Sequence, residues 1–545
     1  MGLKYFIRTK LINVIKDAMR EESERKIQMD GPQFDNLLIN SQEEQIIKIL
    51  DKQIERWTWE RFLRTERTVE SWTWERYERL RTQIDSMQVN IGMEVDRSIN
   101  HGANNLAKKT NLYDETKKID KLIERWTWER YKRSEDKLLH VYKLQNQISE
   151  LLFAQNKTPY KPAEKIRVVF LFQVASFWPS WETLYETCLE DGRFDVKMLF
   201  LDETVREAAQ MKTAKKFLDT KGIEYIEFSE FDMDDYQPHA LFIQTPYDAG
   251  HRIKAHWSSA WKAKGYRVIY VPYGIEISDT ETSRGMHFEQ HVIENSWRIY
   301  TFSETMLKDY RKYCSNAKAV RALGLPKFDS LYNKEKFKLS EDLISRIDGR
   351  KICLWKVHFP KIFEENGKDI FVTPDMNEYI KFAEYAIQHK EMFFIFMPHP
   401  RFKEPVKNKM LQELAIQLMS MLEGVDNVFV DLADDYRPSL VNADSIIIDR
   451  SAIMVEAAAI DVPVLYMVNE EFYEPVTKAI EPLMNSYKQG TTCNDMITFI
   501  TDCSKNVDTN KQERQKAFKQ CIPYFDGKCA ERIKDDIAND VSANI

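Results

Sequence analysis

Apolar positions follow two different rhythms along the chain. From Asp35 to Thr158 there is no proline, glycine occurs only at Gly92 and Gly102, and Glu, Arg, Lys, Leu and Gln dominate, a composition suited to long helices. The segment NIGMEVDRSINHGANN, residues 90–105, predicts the one break, giving two long helices such as an antiparallel hairpin. After it, Leu138, Val141, Leu144, Ile148, Leu151 and Leu152 form an apolar stripe at helical spacing. From Lys165 the rhythm changes. Short apolar runs (IRVVFLF, VKMLFL, ALFIQ, RVIYVPYG, RIYTFS) alternate with helix-like segments, the mark of a parallel sheet wound with helices. A second series runs through KICLWKVHFP, MFFIFMPHPR, NVFVDL, DSIIIDRS and VPVLYM. The expected organisation is a helical region over 1–160, a first α/β domain over 161–340 and a second over 341–545 that ends in helices. The join falls in the polar stretch 334–349.

Two features of the helical region stand out. The phrase WTWER occurs at Trp57, Trp72 and Trp126, offsets that match neither a heptad nor a solenoid period. Tryptophans two apart on a helix point about 200° from one another, so each pair serves two faces, one joining the apolar stripe and the other stacking on arginine. Packing, partner docking or a homo-oligomer made through these copies fits them better than sugar binding. The first 20 residues place Leu3, Phe6, Ile7, Leu11, Val14, Ile15 and Met19 at helical spacing among Lys4, Arg8, Lys10, Lys16 and Arg20. Such a helix can lie on an anionic membrane surface or pack on the body of the protein.

Charge and cysteine usage narrow the function. A net charge of −7 argues against a general nucleic-acid binder. Seven cysteines without a CxxC pair or a zinc-type spacing read as reduced thiols and give no metal site. No apolar run of spanning length and no leader pattern is evident, so the expected location is cytoplasmic.

Ligands of wound sheets bind beyond the carboxyl ends of strands, so residues just after each apolar run are the candidates. The second series offers Lys356 and His358, then His399 and Arg401 in FMPHPR, where prolines on both sides fix the histidine, then Asp449 to Ser451. Imidazoles, an ammonium and a guanidinium converging on a helix N-terminus make a metal-independent pocket for a nucleotide diphosphate. Ser451 can hold phosphate or merely cap its helix, and Glu456 can accept from ribose hydroxyls or stand in solvent. Asp449 reads as structural, since a lone aspartate after a strand seldom holds a metal. The first series offers Tyr273, Gly274 and Glu276 in VPYGIEIS and His251 in TPYDAGHR.

The strings LGLPKFDSL, FMPHPR and DDYRPSLVNADSIIIDRSAIMVEAAAIDVPVLYM resemble the CDP-glycerol glycerophosphotransferase family of teichoic-acid and capsule synthesis, over about Val168 to Ile500. The resemblance implies an α/β fold of two Rossmann-like domains facing a cleft, the GT-B type. It implies a CDP-activated donor as substrate with no further cofactor, and a hydroxyl of a glycopolymer or lipid-linked precursor as acceptor. His399, Ser451 and, by position, Glu456 would surround diphosphate and ribose. The family places a His-Gly pair at a strand end of the first domain to supply the base; this chain has Tyr273-Gly274. With a reference pKa near 6.5, His358 or His251 suits proton removal better than the Tyr273 phenol, and Glu276 is a further candidate base. A lipid-linked acceptor would fit a peripheral seat at the inner face of the membrane through the basic helix. A GT-B glycosyltransferase using a nucleotide sugar is the alternative, and a non-catalytic assembly protein built on the WTWER region is the second.

Overall fold

The computed structural model describes residues 150–543 apart from 163, 203–207, 361, 366–367, 404–407 and 473. The basic amphipathic segment, the WTWER copies and the expected helical hairpin lie outside the described residues.

Seven parallel strands form the first sheet: β1 (Ile166–Phe172), β2 (Phe194–Phe200), β3 (Ile226–Glu227), β4 (Ala240–Ile243), β5 (Arg267–Tyr270), β6 (Arg298–Thr301) and β7 (Val320–Ala322). Their order is β3-β2-β1-β4-β5-β6-β7. β1, β4, β5 and β6 are buried almost throughout, as strands covered by helices on both faces must be, which is why they read as continuous apolar runs.

The second sheet repeats the plan with β8 (Lys351–Val357), β11 (Met392–Pro398), β12 (Val428–Val430), β13 (Ser445–Ile448), β14 (Val464–Met467) and β15 (Lys488–Gly490), all parallel, in the order β12-β11-β8-β13-β14-β15. Between β8 and β11 an antiparallel hairpin, β9 (Ile362–Glu365) and β10 (Lys368–Phe371), is inserted. The sequence reading had no place for it. Strand order reverses direction at β1/β4 in one sheet and at β8/β13 in the other, which are the places where wound sheets open a crevice. Two parallel sheets with alternating helices are the GT-B-type α/β arrangement expected from the sequence.

Side-chain alternation sorts the second sheet into two faces. Cys353, Trp355 and Val357 pack with Tyr379, Leu418 and Met496 from the outer helices, while Ile352 and Leu354 join the core that runs into the first lobe. The lobes are also tied by backbone: Asp279 N–H donates to the Pro475 carbonyl (2.7 Å) and Thr477 N–H to that of Ile277 (2.8 Å). The last helix, Cys529–Ala543, returns to the first lobe. There Arg298 pairs with Asp536 and Asp540, and Arg193 with Asp535. Its start is held by Asp329, whose two oxygens accept from the backbone N–H groups of Cys529 (2.9 Å) and Ala530 (2.7 Å). Among the described residues, no helix is long and apolar enough to cross a membrane.

Candidate functional site

β8 and β11 are paired in register up to Val357 and Pro398, so the next residues, His358 and His399, emerge side by side at the carboxyl end of the sheet. Their ring centroids are 4.9 Å apart, with Phe359 4.2 Å from the first ring and 4.9 Å from the second. The Arg401 guanidinium lies over the Phe359 ring at 4.9 Å. Lys356 is two residues before His358 and therefore on the same face, the one turned to the first lobe.

The hydrogen bonds assign the tautomers. His358 Nδ1 lies 2.9 Å from the Phe359 carbonyl, an atom that only accepts, so the neutral ring carries its proton on Nδ1 and a lone pair on Nε2. His399 Nδ1 accepts from the Arg401 backbone N–H at 3.1 Å, so that ring carries its proton on Nε2. Burial, then the neighbouring Lys356 and Arg401 charges, push His399 down to about 3. Burial and His399 drive His358 well below its ordinary value. Both rings are therefore neutral near pH 7, one offering a donor and the other an acceptor.

Asp449 supports His358 directly, and Asp431 acts on Lys356 through its charge. Asp449, fully buried at the end of β13, accepts from the His358 backbone N–H (2.6 Å) and the Tyr379 hydroxyl (2.9 Å), and burial raises it to about 6. Asp431, the residue after β12, accepts from Ser439 Oγ at 2.5 Å. Lys356 is 5% exposed; burial lowers its ammonium to about 8, against the opposing pull of Asp449 and Asp431. An ammonium so desolvated, at the end of a sheet and near two neutral imidazoles, has the chemistry to hold an anion. Asp431 was absent from the sequence reading, although its position after NVFV marks a strand end like the others.

The remaining candidates are distributed as follows. Ser451 stands two residues before the helix Ile453–Ala459, and its Oγ accepts weakly from the Ile453 N–H at 3.4 Å. Beside it Arg450 forms a two-pronged pair with Glu474. Glu456 is 1% exposed, and its carboxylate accepts from Lys327 Nζ (2.7 Å) and from the Tyr436 hydroxyl. That occupation sets it in the junction between lobes, where the expected ribose contact would have to displace Lys327 or Tyr436. The same ammonium donates to the Tyr273 carbonyl at 2.8 Å, so Tyr273 and Glu456 are joined through Lys327. Gly274 follows with open space where a Cβ would stand.

Glu276 is buried, with Oε1 accepting from Tyr310 at 2.8 Å and its carbonyl from Thr477 Oγ1. His251 closes the short helix Asp248–His251, stacks on Tyr247 at 5.7 Å, and its carbonyl accepts from Gln173. The structure thus brings Lys356, His358, His399 and Arg401 together at two adjacent strand ends, with Ser451 beyond β13. It sets Tyr273, Gly274 and Glu276 on the loop after β5 and His251 on a short helix after β4, all on the first sheet. One group of metal-compatible side chains occurs among the described residues, Asp329, Asp526 and Cys529, but the Asp329 carboxylate already caps the last helix.

No curated protein matches the chain. Solved structures of similar fold include a Staphylococcus aureus MnaA–UDP complex, at 12% identity over 69% of this chain and 97% of that one, TM-score 0.48. Another is the wall teichoic acid polymerase TagF soaked with CDPG, at 14% identity over 75% and 97%, TM-score 0.47. A third is the UDP-GlcNAc 2-epimerase of Neisseria meningitidis bound to UDP-GlcNAc, at 13% identity over 68% and 100%, TM-score 0.46. A protein-family model described as CDP-glycerol:poly(glycerophosphate) glycerophosphotransferase matches residues 275–539, the stretch that holds the histidine pair, Lys356 and the β13 strand end. The match makes residues 275–539, just under half of the chain, similar to that family, and the protein is glycerophosphotransferase-like over them.

Proposed function

We propose that the protein transfers a polyol phosphate, glycerol phosphate or a close relative, from a CDP-activated donor to a hydroxyl of a cell-surface glycopolymer or its lipid-linked precursor. The observation that carries this reading is the His358–His399 pair above Lys356, inside the family-matched region. An acceptor hydroxyl attacks the distal phosphorus, the bond from that phosphorus to the bridging oxygen breaks, and CMP leaves with the electron pair. His399 Nε2–H, Lys356 and Arg401 are suited to the charge that gathers on the leaving diphosphate oxygens. His358 Nε2, left with its lone pair by the Nδ1 contact, is suited to receive the hydroxyl proton. Its low basicity rises once a diphosphate sits beside it, because a nearby negative charge favours imidazolium.

No metal enters this scheme, and the donor is its only activated component. Ser451 and the first amides of its helix would lie at the edge of the bound nucleotide. A cytoplasmic enzyme held at an anionic membrane by its basic first 20 residues would meet a lipid-linked acceptor there.

The test is a donor screen. Purified protein is incubated with CDP-glycerol, CDP-ribitol and common nucleotide sugars, and the released nucleotide is identified. CMP from a CDP-polyol supports the proposal. A nucleoside diphosphate from a sugar nucleotide would make the enzyme a glycosyltransferase, and neither binding nor turnover of any donor would reduce it to an assembly protein.

A further inference from the structure

A cavity of about 260 Å³ opens at the amino end of the first sheet, the end opposite its carboxyl mouth. Tyr266 stands just before β5, Trp297 just before β6 and Lys318 just before β7, and all three line it. Lys262, Asn295 and Phe153, the last from the helical residues 150–156, complete the walls that matter here. Pockets for small molecules run from about 300 Å³ upward, so this space suits a small metabolite rather than a polymer.

Several polar groups around the cavity lack partners. Asn295 is 3% exposed, and its Nδ2 donates to the His291 carbonyl (2.8 Å) and to Ser258 Oγ (3.2 Å). Those bonds fix the orientation of the amide and leave Oδ1 buried with no donor. The buried Lys262 ammonium, with three hydrogens to give, meets only the half-exposed Glu150 (2.8 Å). Lys318 is exposed and pairs with no acid among the described residues.

Charge there is also out of balance. Arg267, next to Tyr266, is 1% exposed; its Nη1 donates to the carbonyls of His239 (3.2 Å) and Thr158 (3.3 Å), while Nε and Nη2 have no acceptor. Burial holds this guanidinium down to about 10. It lies over the Trp297 ring at 5.7 Å, as Arg298 does at 4.3 Å. Asp536 and Asp540 are taken up by Arg298, and Asp234, which meets the Tyr266 hydroxyl, by Lys264. Lys262, Arg267, Arg298 and Lys318 thus face only Glu150, Asp536 and Asp540. A desolvated positive charge without a counter-charge is costly, and a bound anion relieves it.

We propose that this cavity is a second ligand site, separate from the donor mouth, for a small sugar phosphate. The phosphate meets the Lys262 and Lys318 ammoniums, a sugar hydroxyl donates to Asn295 Oδ1, and the ring carbons lie against the walls that Phe153 and Tyr266 supply. A ligand held this way ties the helical residues 150–156 to the first sheet.

The experiment titrates glucose 6-phosphate, and separately inorganic phosphate, into the full chain by calorimetry. Glucose 6-phosphate should bind at one saturable site with a Kd of about 0.1–1 mM, and inorganic phosphate, which has no ring, at least about tenfold more weakly. Lys262→Met and Lys318→Glu, the second a change at an exposed side chain that the fold tolerates, should each weaken the glucose 6-phosphate Kd by about tenfold. Lys356→Met, at the donor mouth, should leave it within about twofold. No saturation below about 10 mM, equal Kd values for the two probes, or a Kd unchanged in both Lys262→Met and Lys318→Glu would overturn the proposal. So would a Kd lost in Lys356→Met, which would move the binding to the donor mouth.

Discussion

Replacing Lys327 by methionine isolates one buried charge in the lobe junction. Its side chain is 3% exposed, that of Glu456 is 1% exposed, and the two meet at 2.7 Å. Methionine keeps most of the volume and removes the ammonium, leaving Glu456 in the protein interior with only the Tyr436 hydroxyl as donor. Removing one partner of a buried pair costs about 3–5 kcal/mol, because the surviving charge is neither solvated nor neutralised. Glu456→Gln should fall in the same range by stranding the lysine. The double variant Lys327→Met/Glu456→Gln should lose at least about 2 kcal/mol less than the two singles summed, since no charge is then left behind. Urea unfolding of the four proteins gives the cycle. Single variants costing under about 1 kcal/mol, or strict additivity, would refute the reasoning. Nucleotide affinity of Glu456→Gln is a second readout. With both oxygens engaged inside the junction, the folded variant should keep the donor Kd within about twofold. A large loss of affinity without loss of stability would return Glu456 to the ribose.

Acid should destabilise the fold through His239. This ring is fully buried, with Nδ1 accepting from the Arg167 N–H, and burial, then Arg167, hold it at about 4. Its folded pKa is below its unfolded value, so between about pH 6.5 and 4 the unfolded chain binds the extra proton and stability falls as pH falls. At pH 5 the loss is on the order of 2 kcal/mol, and His239→Gln should flatten the decline of Tm between pH 7 and 5; an unchanged slope would contradict it. Lys356 predicts a limb at the other end of the scale. Donor kcat/KM should decline as pH rises through about 8, where the ammonium is lost. Lys356→Arg should move that limb upward and Lys356→Met should abolish it along with about tenfold or more of donor affinity. A limb that persists in Lys356→Met would assign it to another group.

The alternation of strands and helices was legible because buried parallel strands read as apolar runs, and SIIID or FMPHP names the residue at the sheet's end directly. His358 and His399 could be paired in advance because each follows such a run. The hairpin of β9 and β10 escaped, although the Asn-Gly dipeptide between the two strands is the usual signal for a tight turn. The inter-lobe ion pairs were illegible for a different reason. Lys327–Glu456 and Arg437–Glu182 join residues 129 and 255 positions apart, and periodicity reports only which face of its own helix a residue shares. Glu456, read as a ribose or solvent group, is instead packed against a partner that local pattern does not reveal. Asp329 shows the same limit, since it caps a helix that begins 200 residues later.

The account turns on a diphosphate gripped by the imidazole pair at the mouth of the second sheet. Calorimetric titration of CDP-glycerol into the intact protein and into folded His399→Ala tests this most directly. The account predicts a loss of about 10- to 100-fold in affinity, the worth of a hydrogen bond to a charged group. Equal affinity in the two proteins would contradict it.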